Sequence, residues 1–303
     1  MERGVLMAAV AAYAANTARR SRSGRWRHAL LIALALLCVG VLLVLPLLAV
    51  FAEAFAKGWA VFAAAVTDPD ALAAVRLTLT VAAIAVPANT VFGLAAAWLL
   101  THHQFRGKAL LGALIDLPFS VSPVVAGLVC VLVYGVHGWF GGWLEAHGLR
   151  VIFAWPGLVL ATVFVAFPFV ARELIPLMQA QGSDEELAAR TLGAGGWQIF
   201  FRVTLPRIRW ALLYGVLLCT ARSMGEFGAV SVVSGHLPGL TNTLPLQVDQ
   251  VYNGGSDTAI ASAFALASLL ACLGLVTLLA KRLMEWRHGG ELAHSLRRSE
   301  PSA

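Results

Sequence analysis

Asp116, Arg222 and Glu226 each stand inside a stretch that is otherwise apolar. An ionised side chain in such a place is costly, and by default it marks a pathway or a partner. Arg222 and Glu226 are four positions apart, the spacing that lets an acid and a base pair on one helical face. Two readings follow. The pair is a structural ion pair, with Asp116 as a further member, or Arg222 faces a pathway and transiently compensates an anion. Ser120 and Ser122 sit just before Pro123. A half-helix starting at that proline would offer free N–H groups beside two hydroxyls, a setting suited to an oxyanion.

Other chemistry is missing from the chain. There is no G-x-x-x-x-G-K-[ST], no H-E-x-x-H and no G-x-S-x-G, so no residue is assigned to catalysis, to a cofactor or to a metal. His102 and His103 are adjacent, which is poor spacing for a metal pair, and both are expected in solvent. The four cysteines, Cys38, Cys130, Cys219 and Cys272, fall in apolar runs without C-x-x-C spacing. They read as small buried apolar side chains.

The elements that must position these residues are bilayer spans. The chain has 303 residues, 59% hydrophobic and 13% charged, against about 25% charged in a soluble domain. Six stretches meet or approach the roughly 20 apolar residues a spanning helix needs: 29–52, 74–100, 109–135, 155–178, 207–231 and 257–280. The net charge of +6 lies in residues flanking these runs, with no groove or basic-aromatic interleaving, which argues against nucleic acid. The first apolar run exceeds the 7–15 residues typical of a signal h-region and is read as a retained span.

Lys and Arg cluster before the first span, in the second-to-third and fourth-to-fifth loops and after the sixth, while residues 232–256 contain none. By the positive-inside rule both ends are cytoplasmic. The expected organisation is an all-α integral membrane protein with six transmembrane helices. A basic extension covers 1–28 and the first helix 29–52. A five-helix core over 70–282 contains a cytoplasmic loop at 179–206, and a tail covers 283–303. Pro87, Pro118, Pro123 and Pro168 interrupt three of the spans. Proline removes a donor and kinks a helix, so the bundle reads as cavity-lining and mobile rather than as an anchor.

The loop has its own pattern. Ser183 followed by Glu186 predicts a capping box, and Asp184, Glu185 and Glu186 suit the positive end of a helix dipole. Ala188, Ala189, Arg190 and Leu192 favour a helix, and Gly193 stands where a left-handed C-terminal glycine belongs. Gly195 and Gly196 turn the chain into "WQIFFRV", and Pro206 is expected in the first turn of the fifth span. So short a helix is marginal alone, so it docks either on its own bundle or on a cytosolic partner.

Here the sequence resembles a known family. Ala188-Ala189, then Gly193, then Val203-Thr204-Leu205-Pro206 match the cytoplasmic signature loop of ABC-importer permeases, with Leu187 where that pattern has Glu. "FSVSPVVAGL", "RVTLPRIRWALLYG" and "RSMGEFGAVSVVSG" are similar to sulfate/thiosulfate permeases of the sulfate–molybdate branch, nearest to their W-type subunits. That resemblance runs from about residue 30 to residue 285. It implies the type I ABC importer architecture in a bacterial cytoplasmic membrane. It also implies a heterodimer with the related T-type permease, two copies of a cytosolic ATPase and a periplasmic sulfate- or thiosulfate-binding protein. Glu186, Ala188, Ala189, Gly193, Leu205 and Pro206 would then form the ATPase-coupling loop, and the chain itself would be no enzyme. Molybdate or tungstate import by the same architecture is an alternative cargo. An ATPase-independent secondary transporter is a different class, against which the loop argues.

Overall fold

The computed structural model describes residues 30–297, and every regular element among them is helical. The basic extension at 1–28 and the end of the tail from Arg298 lie outside the described residues, and with them the placement of both termini. The chain forms two units divided after Glu53. The first carries all but the last two residues of helix α1 (Leu30–Phe55), which contains a π-turn at Gly40–Val44.

The second unit contains α2 (Trp59–Thr67), α3 (Pro69–His102), α4 (Lys108–Ser120), α5 (Pro123–Tyr134), α6 (Gly141–Ala146) and α7 (Trp155–Gln181). There follow α8 (Asp184–Thr191), α9 (Gly196–Met224), α10 (Gly228–Ser234), α11 (Leu244–Tyr252) and α12 (Asp257–Arg297). Among the described residues, five helices (α1, α3, α7, α9 and α12) are long and apolar enough to cross a membrane, and the bent pair α4–α5 makes a sixth. The second span starts at Pro69 rather than 74, because Asp68 caps it. Its carboxylate accepts from the Asp70 and Ala71 N–H groups at 2.9 and 3.2 Å, and Pro69 takes the first helical position. The last helix continues through 283 to Arg297.

Helix α7 is the centre of this unit, with α3 and α9 laid against it. Val170 marks the crossing. A Cβ added at Gly93 would come within 2.8 Å of the Val170 Cβ, and one at Gly215 within 3.2 Å of the Val170 Cα. Small residues permit such backbone approach, which is how helices gain packing energy in lipid. Val86, Ala97, Ala166, Leu174, Met178, Ile208 and Cys219 close the core around this point.

Two spans are broken, and the breaks are neighbours. Helices α4 and α5 meet at 110° across Val121 and Ser122. Helix α9 stops at Met224, and α10 begins at Gly228. A Cβ at Gly228 would stand 3.0 Å from the Pro123 Cβ, and one at Gly127 would stand 2.7 Å from the Ala229 carbonyl oxygen. The second halves α5 and α10 therefore run against each other, sealed by Val81, Ala126, Leu158, Val165, Ala229 and Val233.

The fifth span thus departs from its expected limits of 207–231 at both ends. It ends early because glycines at 225 and 228 weaken the helix, while Glu226 turns its carboxylate onto the Ala229 N–H at 2.8 Å. It begins early, at Gly196, so Pro206 lies inside the helix and not in its first turn. Pro206 has no N–H to give, and the turn before it relaxes to a π-turn at Phe200–Thr204, where the Leu205 N–H bonds the Phe200 carbonyl. That is a usual way for a helix to absorb a proline.

Candidate functional site

Helix α8 follows α7 across Gly182 and Ser183, Gly182 having a positive φ of 64°. The expected capping box does not form, since Ser183 makes no side-chain cap bond. Glu186 is used elsewhere. One oxygen accepts from the Thr204 hydroxyl at 2.5 Å, and the other lies 3.0 Å from His102 Nε2 at the end of α3. Both side chains of this contact are largely buried. His102 is therefore not a solvated loop residue: its Nδ1 lies 2.8 Å from the Thr101 hydroxyl, and its ring stacks on Trp98. A carboxylate offered an imidazole and a hydroxyl by two folded helices is held there and not on the N–H groups of its own first turn.

A second tie runs parallel to the first. Glu185 pairs with Arg207 Nε at 3.3 Å. Arg207 in turn donates to the Gln181 carbonyl at 3.2 Å, and the Gln181 amide donates to the Arg207 carbonyl at 3.4 Å. The acidic end of α8 is thus fastened to α3, α7 and α9 together. Its other end closes as the sequence predicts. Gly193 has φ +86°, and the Ala194 N–H bonds the Ala189 carbonyl at 3.1 Å.

The outward side of the loop is apolar. Leu192 is 88% exposed and Trp197 77%, with Leu187, Ala188 and Phe201 also exposed. Trp197 stacks on Phe201 with ring centroids 5.9 Å apart. Ala189 and Leu205 are half-buried, and Pro206 is exposed. Exposed large apolar side chains grouped in one short loop, which also carries the exposed charges of Asp184, Arg190 and Arg202, have the character of a docking surface. The sequence pattern located the loop. It missed His102 and Thr204, for which no local signal exists.

Asp116, Arg172, Arg222 and Glu226, all within or beside the spans, form two pairs. Arg222 Nη1 lies 2.6 Å from Glu226 Oε2. The pair forms although Glu226 is beyond the end of α9, and not on its face as expected. Asp116 is no third member: its Oδ1 accepts from Arg172 Nε at 2.8 Å, because α4 packs on α7 there. Ser120 ends α4 and Ser122 precedes α5, and both are exposed. The Ser122 hydroxyl makes no cap bond on α5.

Residues 89–287 match the family described as "Binding-protein-dependent transport system inner membrane component". The chain is 55% identical over 260 residues to the sulfate transport system permease protein CysW of Synechocystis sp., covering 86% of this chain and 93% of that protein. It is 39% identical over 246 residues to the sulfate transport system permease protein CysT of Escherichia coli, covering 80% and 89%. A chain of the bacterial alginate ABC transporter, solved in complex with an alginate pentasaccharide-bound periplasmic protein, superposes with a TM-score of 0.69. That match has 17% identity and covers 86% of this chain and 94% of that one, so the likeness is one of fold.

Proposed function

The chain belongs to the binding-protein-dependent transport system inner membrane components, and from that premise we propose that it is the transmembrane permease subunit of an ATP-driven sulfate importer. The observation that carries the reading is α8. Its acidic end is tied into three membrane helices through Glu185 and Glu186, and its apolar side is left open. A short helix so held can pass a push from a cytosolic partner to the bundle. The chain carries the motion, and hydrolysis belongs to a separate ATPase, present in two copies. Identity to both CysW-type and CysT-type relatives supports a second, related permease that supplies the other half of the path. A periplasmic binding protein delivers sulfate or thiosulfate, and the membrane is the bacterial cytoplasmic one, with the loop at 179–206 on its inner side.

In this reading the path runs by the two adjacent breaks. Arg222 and Glu226 stand beside one and Ser120 and Ser122 beside the other. The open N–H groups of α5 favour a passing oxyanion.

The test is uptake of labelled sulfate in cells lacking their own sulfate permeases, complemented with this chain, its partner permease, ATPase and binding protein. Uptake that Gly193→Pro abolishes, with assembly intact, supports the reading. Accumulation of molybdate in place of sulfate would keep the class and overturn the cargo. Sulfate uptake without the ATPase would overturn the class.

A further inference from the structure

The Arg222–Glu226 and Asp116–Arg172 pairs are built differently. Glu226 is 2% exposed, and its two oxygens serve Arg222 and the Ala229 N–H. Asp116 and Arg172 are open, with side chains 47% and 55% exposed. Arg172 stands nine positions before the end of α7 at Gln181, and Asp116 eight after the start of α4 at Lys108. At the helical rise each is roughly 12–14 Å in from that end of its helix, inside the apolar stretches long enough to span a membrane. Charges left half-open inside an apolar span do not face lipid. The face that carries them meets water or protein.

That face has a definite make-up. Asp116, Phe119 and Ser120 fall at the three- and four-residue spacing of one side of α4. The Phe119 ring lies 4.9 Å under the Arg172 guanidinium and packs edge-on against Phe169 at 5.3 Å. One turn earlier on the same side, a Cβ at Gly112 would meet nothing within 4 Å. The result is a low, polar strip with an arginine at its centre. Asp116 engages its Nε, one of five N–H donors on the guanidinium.

We propose that Asp116, Ser120 and Arg172 line the water-filled translocation path, and that Arg172 is a contact for the doubly charged oxyanion in transit, a proposal that rests on the sulfate-import reading. A bare arginine in a low-dielectric path would hold a dianion too tightly to release it. Asp116 keeps the guanidinium neutralised between passages, so the anion meets a weak, transient site, as conduction requires. Arg222, committed to a buried carboxylate, is less available for this role.

The experiment uses the assembled transporter in proteoliposomes, with the four native cysteines replaced by alanine. Arg172→Cys, Ser120→Cys and Leu114→Cys are each treated with a membrane-impermeant methanethiosulfonate, with and without excess sulfate. Leu114 is the control, since it lies on the other side of α4, where it lines an apolar cleft with Phe92 and Val133. The expected result is labelling of the first two at least tenfold faster than the control, slowed severalfold by sulfate. Ser120→Cys leaves the ion pair intact, so it answers even if Arg172→Cys fails to assemble. Labelling no faster than at Leu114→Cys would overturn the placement. Fast labelling that neither sulfate nor molybdate slows would overturn the anion contact. Protection by molybdate alone would uphold the strip as an anion path and count against the sulfate reading instead.

Discussion

Glu186 and His102 meet at 3.0 Å, joining the loop helix α8 to the end of α3 through a largely buried carboxylate–imidazole contact. The Thr204 hydroxyl shares the same carboxylate, so one side chain gathers three elements.

Removing that carboxylate should loosen the loop without unfolding the bundle. A hydrogen bond to a charged group contributes about 1.5–3 kcal/mol, and Glu186→Ala loses both of its partners. Sulfate uptake is expected to fall by about tenfold or more while the subunits still co-purify. Glu186→Gln, which retains an acceptor for Thr204, should lie between. Paired assays of uptake and ATP hydrolysis in proteoliposomes check this, and unchanged uptake for Glu186→Ala would remove the latch from the mechanism.

Gly193 should tolerate little. Its φ of +86° costs a residue with a Cβ roughly 1–2 kcal/mol, and proline is fixed near −65° and cannot adopt it. Gly193→Ala is expected to lower transport modestly and Gly193→Pro to abolish it. Membrane levels of both should match the parent on immunoblots.

The exposed apolar side of the loop should matter to a partner and not to the chain itself. Leu192→Ser and Trp197→Ser remove surface from a patch open to solvent, so melting of the purified permease is expected to stay within about 0.5 kcal/mol of the parent. Co-purification of the ATPase should drop clearly. A normal yield of the ATPase with both substitutions present would show that it docks elsewhere.

Arg222→Ala strands a carboxylate that is 2% exposed. Breaking a buried pair from one side costs about 3–5 kcal/mol, so a marked loss of thermal stability is expected. Adding Glu226→Gln should recover part of it, because the amide oxygen can still accept from the Ala229 N–H. A double-mutant cycle on melting midpoints measures the coupling, and strict additivity would mean that the two side chains act independently.

Val170 offers a packing test. Gly93→Leu and Gly215→Val both drive atoms into it, and overpacking typically costs about 1–3 kcal/mol. Lower melting midpoints in detergent are expected for both, with partial relief when Val170→Ala accompanies Gly93→Leu.

What the sequence made legible follows from what is local. Span number, the glycine stop of α8 and the break at Pro123 all come from neighbours within a turn or two, and the structure places them where the pattern does, whereas the capping box expected at Ser183 does not form. The break after Met224 leaves no such local mark, and 207–231 reads as one continuous span. Its cause is a side chain, Glu226, that abandons the helix to cap the next one. The partners of Asp116 and Glu186 were missed for a related reason. Arg172 lies 56 positions from Asp116, and only the packing of α4 on α7 brings them together. Periodicity reports which face a residue occupies, and it is silent on which neighbour that face will meet.

The π-turn at Phe200–Thr204 adds one residue to the hydrogen-bonded ring of α9, which turns everything beyond it by about 100°. It acts as a phase shifter. On one side of it the helix presents Trp197 to the open loop surface, and on the other it presents Ile208 and Cys219 to the core. The two azimuths are set separately within a single rod. Deleting one residue from this segment would therefore not merely shorten α9; it would leave either the loop surface or the core turned about a quarter of the way out of alignment.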